Sequence, residues 1–211
     1  MSTRIGSGWR RLANLTLVLF VPLVATLLVG CQQARALAPA SAGPPSAAQI
    51  LTRVSHTGLA DAHFKVHAAY TIGQVALDLQ GDGVLVLRPT AAVRLTFQGR
   101  VAGRPTAIEA ISVGGKTYQR VGGEAWKVQS GAASMTIPWA GAHSPTLVGE
   151  ELLVGGKAWH LHAAGADSKP LELWVREKDG YPLRVSTTPG QGQAVTMEFD
   201  QFDTGATVAA P

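Results

Sequence analysis

Six histidines, two pairs of carboxylates and one cysteine are the residues of this 211-residue chain whose types most readily allow chemistry. His63 and His67 lie in "HFKVHAAY", which reads as a strand, so they share a face about 13 Å apart, too far for one ion. His160 and His162 share a strand face as well, but no carboxylate or third histidine lies at a convincing spacing. A zinc site needs three or four converging ligands, so no metal site is expected. Asp61, Asp78 and Asp82 are scattered, while Glu150-Glu151 and Asp200-Asp203 fall at strand edges, where solvated charge is the ordinary explanation. "PGQGQA" is a turn without the strand and helix of a dinucleotide fingerprint, and no Gly-x-Ser-x-Gly nucleophile elbow follows the cysteine. Neither enzymatic activity nor a cofactor is expected.

The cysteine carries more. Arg4, Arg10 and Arg11 precede an uncharged run from Leu15 to Val29, the basic and apolar regions of a secretory signal. Leu28-Val29-Gly30-Cys31 then resembles the lipobox of bacterial lipoproteins. In such proteins the cysteine thiol receives a diacylglycerol, the preceding peptide is cut, and the cysteine becomes the N-terminus. On that reading residues 1–30 are a signal peptide and Cys31 is the lipidated anchor. The extracytoplasmic face of the membrane is then the place of work. A plain transmembrane anchor needs about 20 apolar residues, and the most apolar part of this run is shorter. The formal charge of +4 rests on 18 basic and 14 acidic residues. Three of the basic residues and none of the acids lie before Cys31, leaving 15 against 14. That balance is no footprint for nucleic acid.

Residues 31–47 comprise Cys31 and "QQARALAPASAGPPSA", which reads as a flexible tether. It spans roughly 20 Å as a coil and about 50 Å if fully extended. Residues 48–211 form one domain, within the usual size for a single core. Ile50, Leu51, Val54 and Leu59 recur near helical spacing in "SAAQILTRVSHTGLADA", with Ser46 as N-cap and Gly58 weakening the end. Beyond His63 come short alternating runs between glycine-rich separators, among them "VALDLQ" and "GVLVLRP" on either side of "GDG". This is hairpin chemistry, and it predicts an antiparallel sheet or barrel with one helix.

The alternation assigns faces. Val93, Leu95 and Phe97 oppose Arg94, Thr96 and Gln98, and Trp159 and Leu161 oppose His160 and His162. Leu171, Leu173 and Val175 oppose Glu172, Trp174 and Arg176, while Val195, Met197 and Phe199 oppose Thr196, Glu198 and Asp200. One short helix is too small to cover so long an apolar face. Either the sheet curls on itself, or part of the face is left open for a ligand; a well-filled barrel satisfies the pattern equally. Of the tryptophans after Cys31, Trp159 is placed with the apolar face and Trp174 on the opposite side. Trp126 and Trp139 are read as core residues by default, with cavity lining or a bilayer anchor as the other roles open to them.

The pieces "YQRVGGEAWKV", "LVGEELLVGGKAWHLHA", "LELWVREKDGYPLRVST" and "VTMEFDQFDTGATVAAP" follow the tether and helix in order. Together they resemble the LppX/LprAFG lipoproteins of mycobacteria and related bacteria, within the wider LolA/LolB-like group of lipid carriers. The resemblance spans residues 46–211. It implies an α+β fold: a strongly curved antiparallel half-barrel sheet wrapped over one or a few helices, enclosing an apolar cavity. It further implies binding of lipid or lipoprotein acyl chains for carriage or presentation, by a protein expected to be monomeric. Lining residues would then be Val93, Leu95, Phe97, Trp159, Leu161, Leu173, Val175, Val195, Met197 and Phe199. One departure is the short "AGADSKP" before "LELWV", where the family has a longer, partly helical insertion. Ser130 to Pro145, with Met135, Ile137 and Trp139, is the segment available to cover the face instead. The rival reading is a surface sensor or assembly factor that holds a protein partner on the same concave sheet.

Overall fold

The computed structural model describes residues 43–72, 75–101, 103–129, 137–190 and 193–211. Residues 1–42, which include Cys31 and the segment read as a signal peptide, and Met135 lie outside the described residues. The helix α1 spans Ala47–Ser55 and starts where the sequence places it. Ser46 Oγ accepts from the Gln49 backbone N–H at 3.3 Å, and Gln49 Oε1 accepts from the Ser46 N–H at 2.8 Å, a reciprocal cap that satisfies two otherwise orphaned donors. Ile50, Leu51 and Val54 form its buried stripe. The helix is shorter than the apolar spacing suggests. It ends at Ser55, and Leu59 reaches the core from the loop that follows.

Eleven strands follow: β1 (Asp61–Ile72), β2 (Val75–Val86), β3 (Ala92–Val101), β4 (Arg104–Val113), β5 (Lys116–Val121), β6 (Lys127–Gln129), β7 (His143–Leu153), β8 (Gly156–Ala164), β9 (Pro170–Arg176), β10 (Pro182–Gly190) and β11 (Gln193–Phe202). They make one antiparallel sheet in the order β6-β5-β4-β3-β2-β1-β11-β10-β9-β8-β7. Two meanders are thus joined by β1 and β11, which pair Phe64 with Phe199 and Val66 with Met197. The sheet is open: β6 and β7 are its outer strands, and nothing pairs them among the described residues.

Because directly opposed residues share a face, the register can be followed across the sheet. One row runs Ile108, Phe97, Gly81, Val66, Met197, Val185, Leu173, Leu161, Leu147, from β4 to β7. The residues one step along each strand face the other way. Lys65, Glu198, Arg184, Trp174 and His160 form the matching polar row. The apolar face, α1, Ile137 and Trp139 make one core that draws side chains from both meanders. The two halves of the sheet therefore bend toward a common interior.

The "GDG" segment is not a hairpin turn. Gly81-Asp82-Gly83 runs through the middle of β2, which is one continuous strand. The glycines are there because the sheet is tightest at these positions. A Cβ on Gly83 would sit 2.3 Å from Cζ of Phe64, and one on Gly81 would sit 2.1 Å from the carbonyl oxygen of Thr96. Glycine in a strand commonly marks such a close approach. Phe64 lies over Gly83, and its ring meets Phe199 at a centroid distance of 5.4 Å.

The β1–β11 seam is locked at one end by Asp61, which is 2% exposed. Its carboxylate accepts from Thr204 Oγ1 at 2.7 Å and from the N–H groups of Thr204 and Gly205 at 3.0 Å each. Asp203 accepts from the Ala60 N–H at 2.7 Å and from the Tyr181 hydroxyl at 2.6 Å. Asp61 is thus a buried structural acceptor, contrary to the reading of a scattered acid, whereas Asp203 is exposed as read and still accepts two hydrogen bonds. Burial pushes the Asp61 carboxyl up, but the hydrogen bonds from Thr204, Gly205 and Ala206 outweigh it and hold the group below its usual value of 3.8.

Two outcomes are expected. Gly83→Ala overpacks the Phe64 contact and costs about 1–3 kcal/mol in chemical denaturation. Combined with Phe64→Ala it costs less than the sum of the two changes, because the clash is gone. Asp61 holds its proton less tightly folded than unfolded, so its contribution is complete above the unfolded value and fades as pH falls through the lower folded one. Asp61→Asn is therefore less stable than wild type at neutral pH, and that gap narrows below pH 3.8 in denaturation curves taken across the acid range.

Candidate functional site: the apolar face of the sheet

The ten residues assigned to the apolar face all belong to, or pack against, a single cluster. They are not equivalent within it. Leu161, Leu173 and Val175 have no exposed surface, and Val93, Leu95, Trp159 and Phe199 are buried. Phe97, Val195 and Met197 are only half-buried. Trp159 is held by α1, whose Arg53 guanidinium stands 5.5 Å from the ring centroid. Arg53 also donates to the carbonyl of Lys178 at 3.4 Å, pinning the helix to the β9–β10 turn. Trp174 points to the other side, where it packs with Ala158 and Leu183.

Cover comes from the segment before β7. Trp139 is buried and meets Phe199 edge-on at 5.5 Å, as a core residue should, whereas Trp126 lies outside the core, half-buried beneath the Arg120 guanidinium at 4.8 Å. Ile137 borders two hollows on this face. The larger, about 330 Å³, is bounded by Ile137, Leu171, Val185, Val195 and Met197, with Asp167 and Lys169 at its rim. The rim pair is itself joined at 3.0 Å. The smaller, about 210 Å³, lies among Leu85, Val93, Val113 and Ile137. The larger hollow is at the lower end of the range for small-molecule sites, roughly 300–1,000 Å³. The short Gly165–Lys169 connection closes on itself through two backbone hydrogen bonds of 2.8 Å and adds no helix. A wider trough of about 980 Å³ lies on the polar face among Lys65, His67, Asp78, Asp82, Arg100 and Glu198. Its mixed charges suit water better than an acyl chain.

The polar face also holds the arrangement that sequence spacing hid. His160 Nε2 and His162 Nδ1 donate to the two oxygens of Glu172 at 2.8 and 2.7 Å. His160 Nδ1 lies 2.8 Å from Glu151, at ion-pair distance but off the line of a hydrogen bond. The His160 ring stacks on Trp174 at 4.1 Å and 14°, and Arg184 bridges Trp174 and Glu198. The carboxylates come from β7 and β9, so their distance along the chain concealed them. Among the described residues no three such groups converge as metal ligands.

No family model and no curated protein sequence matches the chain. Solved structures do. Lipoprotein LppX of Mycobacterium tuberculosis is 12% identical with a TM-score of 0.50, over 76% of this chain and 98% of that one. LprF of Mycobacterium bovis is 12% identical with a TM-score of 0.51, over 80% and 99%. The fold is LppX/LprF-like. An uncharacterized conserved protein of Thermus thermophilus shares it at 16% identity and a TM-score of 0.50, over 76% and 89%. At such identities the likeness is one of architecture.

The two faces should respond very differently to truncation. Leu173→Ala costs about 2–5 kcal/mol, as expected where a buried side chain leaves a cavity. Glu172→Gln, one residue away on the polar face, costs about 1 kcal/mol or less. Denaturation of both variants under one set of conditions checks the assignment of faces.

Proposed function

We propose that this protein is a membrane-anchored lipoprotein that takes up lipid acyl chains on the apolar face of its sheet and carries or presents them at the extracytoplasmic face, without catalysis. The observation that carries this reading is the state of the apolar face. Phe97, Val195 and Met197 remain half-buried, and two hollows flank Ile137. An acyl chain laid there would remove apolar surface from water at about 25 cal/mol per Å². The lipobox-like Leu28-Val29-Gly30-Cys31 supports the anchor and the compartment. The LppX/LprF-like architecture supports the choice of an open, curved sheet with an apolar interior as the binding element. On this reading residues 1–30 are removed, residues 31–47 tether, and residues 48–211 bind. A diacylated cysteine supplies the two chains that stable anchorage requires.

The test is to purify the protein from the membranes of its own host, analyse it by native mass spectrometry and extract the bound lipid. A stoichiometric acyl lipid is expected on the wild type. Met197→Trp, which places a large ring at the wall of the larger hollow, is expected to lose most of it while keeping its denaturation midpoint. A ligand-free wild type that moves no lipid between vesicles would falsify the carrier reading, and co-purification of one stoichiometric protein in place of lipid would favour a partner-binding role.

A further inference from the structure

The β7–β8 hairpin carries an exposure pattern that neither the core nor the apolar face explains. Its two-residue loop is Val154-Gly155, between the paired Leu153 and Gly156. Turns of this kind are usually filled by Gly, Asn, Asp or Ser. Here the first position is a β-branched apolar residue that is 96% exposed, and Leu152, two residues earlier, is 80% exposed. The tip is not loose. Leu153 between them packs against the cluster of Ala158, Trp174 and Leu183. Gly155, at φ 102°, lies so close to Leu183 that an added Cβ would stand 2.9 Å from its Cδ2. The fold therefore holds Val154 and Leu152 out in solvent at a fixed place.

Their surroundings identify the partner. Lys157 pairs across the hairpin with Leu152 and so projects on the same side. Lys157 and Lys178 border one shallow hollow with Gly155, Arg176 and the single carboxylate Glu177, and both lysines are exposed. Neither has an ion pair among the described residues. Two aliphatic side chains at a rigid tip, flanked by free ammonium groups, match an anionic lipid surface: apolar groups below the headgroups, cations level with them. The chain also ensures that such a surface is near. With Cys31 as the anchor, the tether to Ser46 confines the domain within about 50 Å of the bilayer, where effective concentrations reach the millimolar range and a small contact suffices. We propose that the β7–β8 tip is a membrane-docking element that inserts Val154 and Leu152 into anionic bilayers, with Lys157 and Lys178 among the headgroups. The inference rests on the lipoprotein reading for its anchor, but not on the acyl-chain site.

The test uses the full chain, processed and lipidated so that Cys31, its one native cysteine, is blocked. Val154→Cys then carries a single polarity-sensitive nitrobenzoxadiazole label. On vesicles of equal parts phosphatidylcholine and phosphatidylglycerol, its emission is expected to shift to the blue and to be quenched by brominated acyl chains. The shift should be smaller on phosphatidylcholine alone. The same label at Glu124→Cys, in the exposed β5–β6 connection at the other end of the strands, should stay water-like. A water-like signal at position 154 on vesicle-bound protein, or equal quenching at 124, overturns docking and leaves anchorage standing. An equal shift on both vesicle types overturns the role given to the lysines. Protein that fails to sediment with vesicles overturns anchorage and docking together.

Discussion

The pairing of β1 with β11 is the contact from which the rest of the sheet takes its alignment. Each strand is also bound to its own meander, β1 to β2 and β11 to β10. A slip of one residue at this seam would turn every side chain of one meander to the wrong face. The seam is accordingly secured along its length. Phe64 and Phe199 pack at its centre over Gly83, Val66 faces Met197, and Asp61 gathers Thr204 and Gly205 at its end. Its hydrogen bonds are directional and its apolar contacts are bulky, so the register has both geometric and volumetric reasons to be single.

From that register follow two faces with different energetics. The apolar row gains from burial across nine strands and draws α1, Ile137 and Trp139 onto itself. Around Met197 and Val195, however, the row is incompletely covered. The polar row is a chain of exposed or half-exposed ion pairs and stacked rings, from Arg120 and Glu109 through Arg184 and Glu198 to His160 and Glu172. Pairs of that kind contribute little individually in water. They do keep the second face wet and charged along the sheet, which discourages another sheet from stacking there.

Much of this arrangement is readable from residue order alone. Period-two alternation placed Val93, Leu95 and Phe97 together and set Trp159 opposite Trp174, and helical spacing marked Ser46 as the helix cap, because each is decided by neighbours a few residues apart. Features that depend on distant partners were not readable. "GDG" has the composition of a turn, and only the Phe64 ring on the adjacent strand requires Gly83 inside a continuous one. Asp61 reads as one of several scattered acids until Thr204 and Gly205 fold over it. Glu172 and His160 are 12 residues apart in the chain and become neighbours only through the β8–β9 register. The incomplete covering of the apolar face is of the same kind. It depends on where Ile137 and Trp139 come to rest, and alternation does not encode that.

The strand order also sets a timetable. Within each meander every pairing joins consecutive strands, so both halves can assemble from contacts close along the chain. Only the central seam joins distant segments, pairing Ala62 with Phe202 and Ala69 with Ala194. Closing so long a loop costs entropy before any contact offsets it, and such non-local pairing slows folding. Until β11 arrives, β1 is a bare edge whose Phe64 and Val66 have no partner on that side. A chain that emerges N-terminus first must therefore keep the unpaired edge of β1 from other chains until β11 is free to cover it.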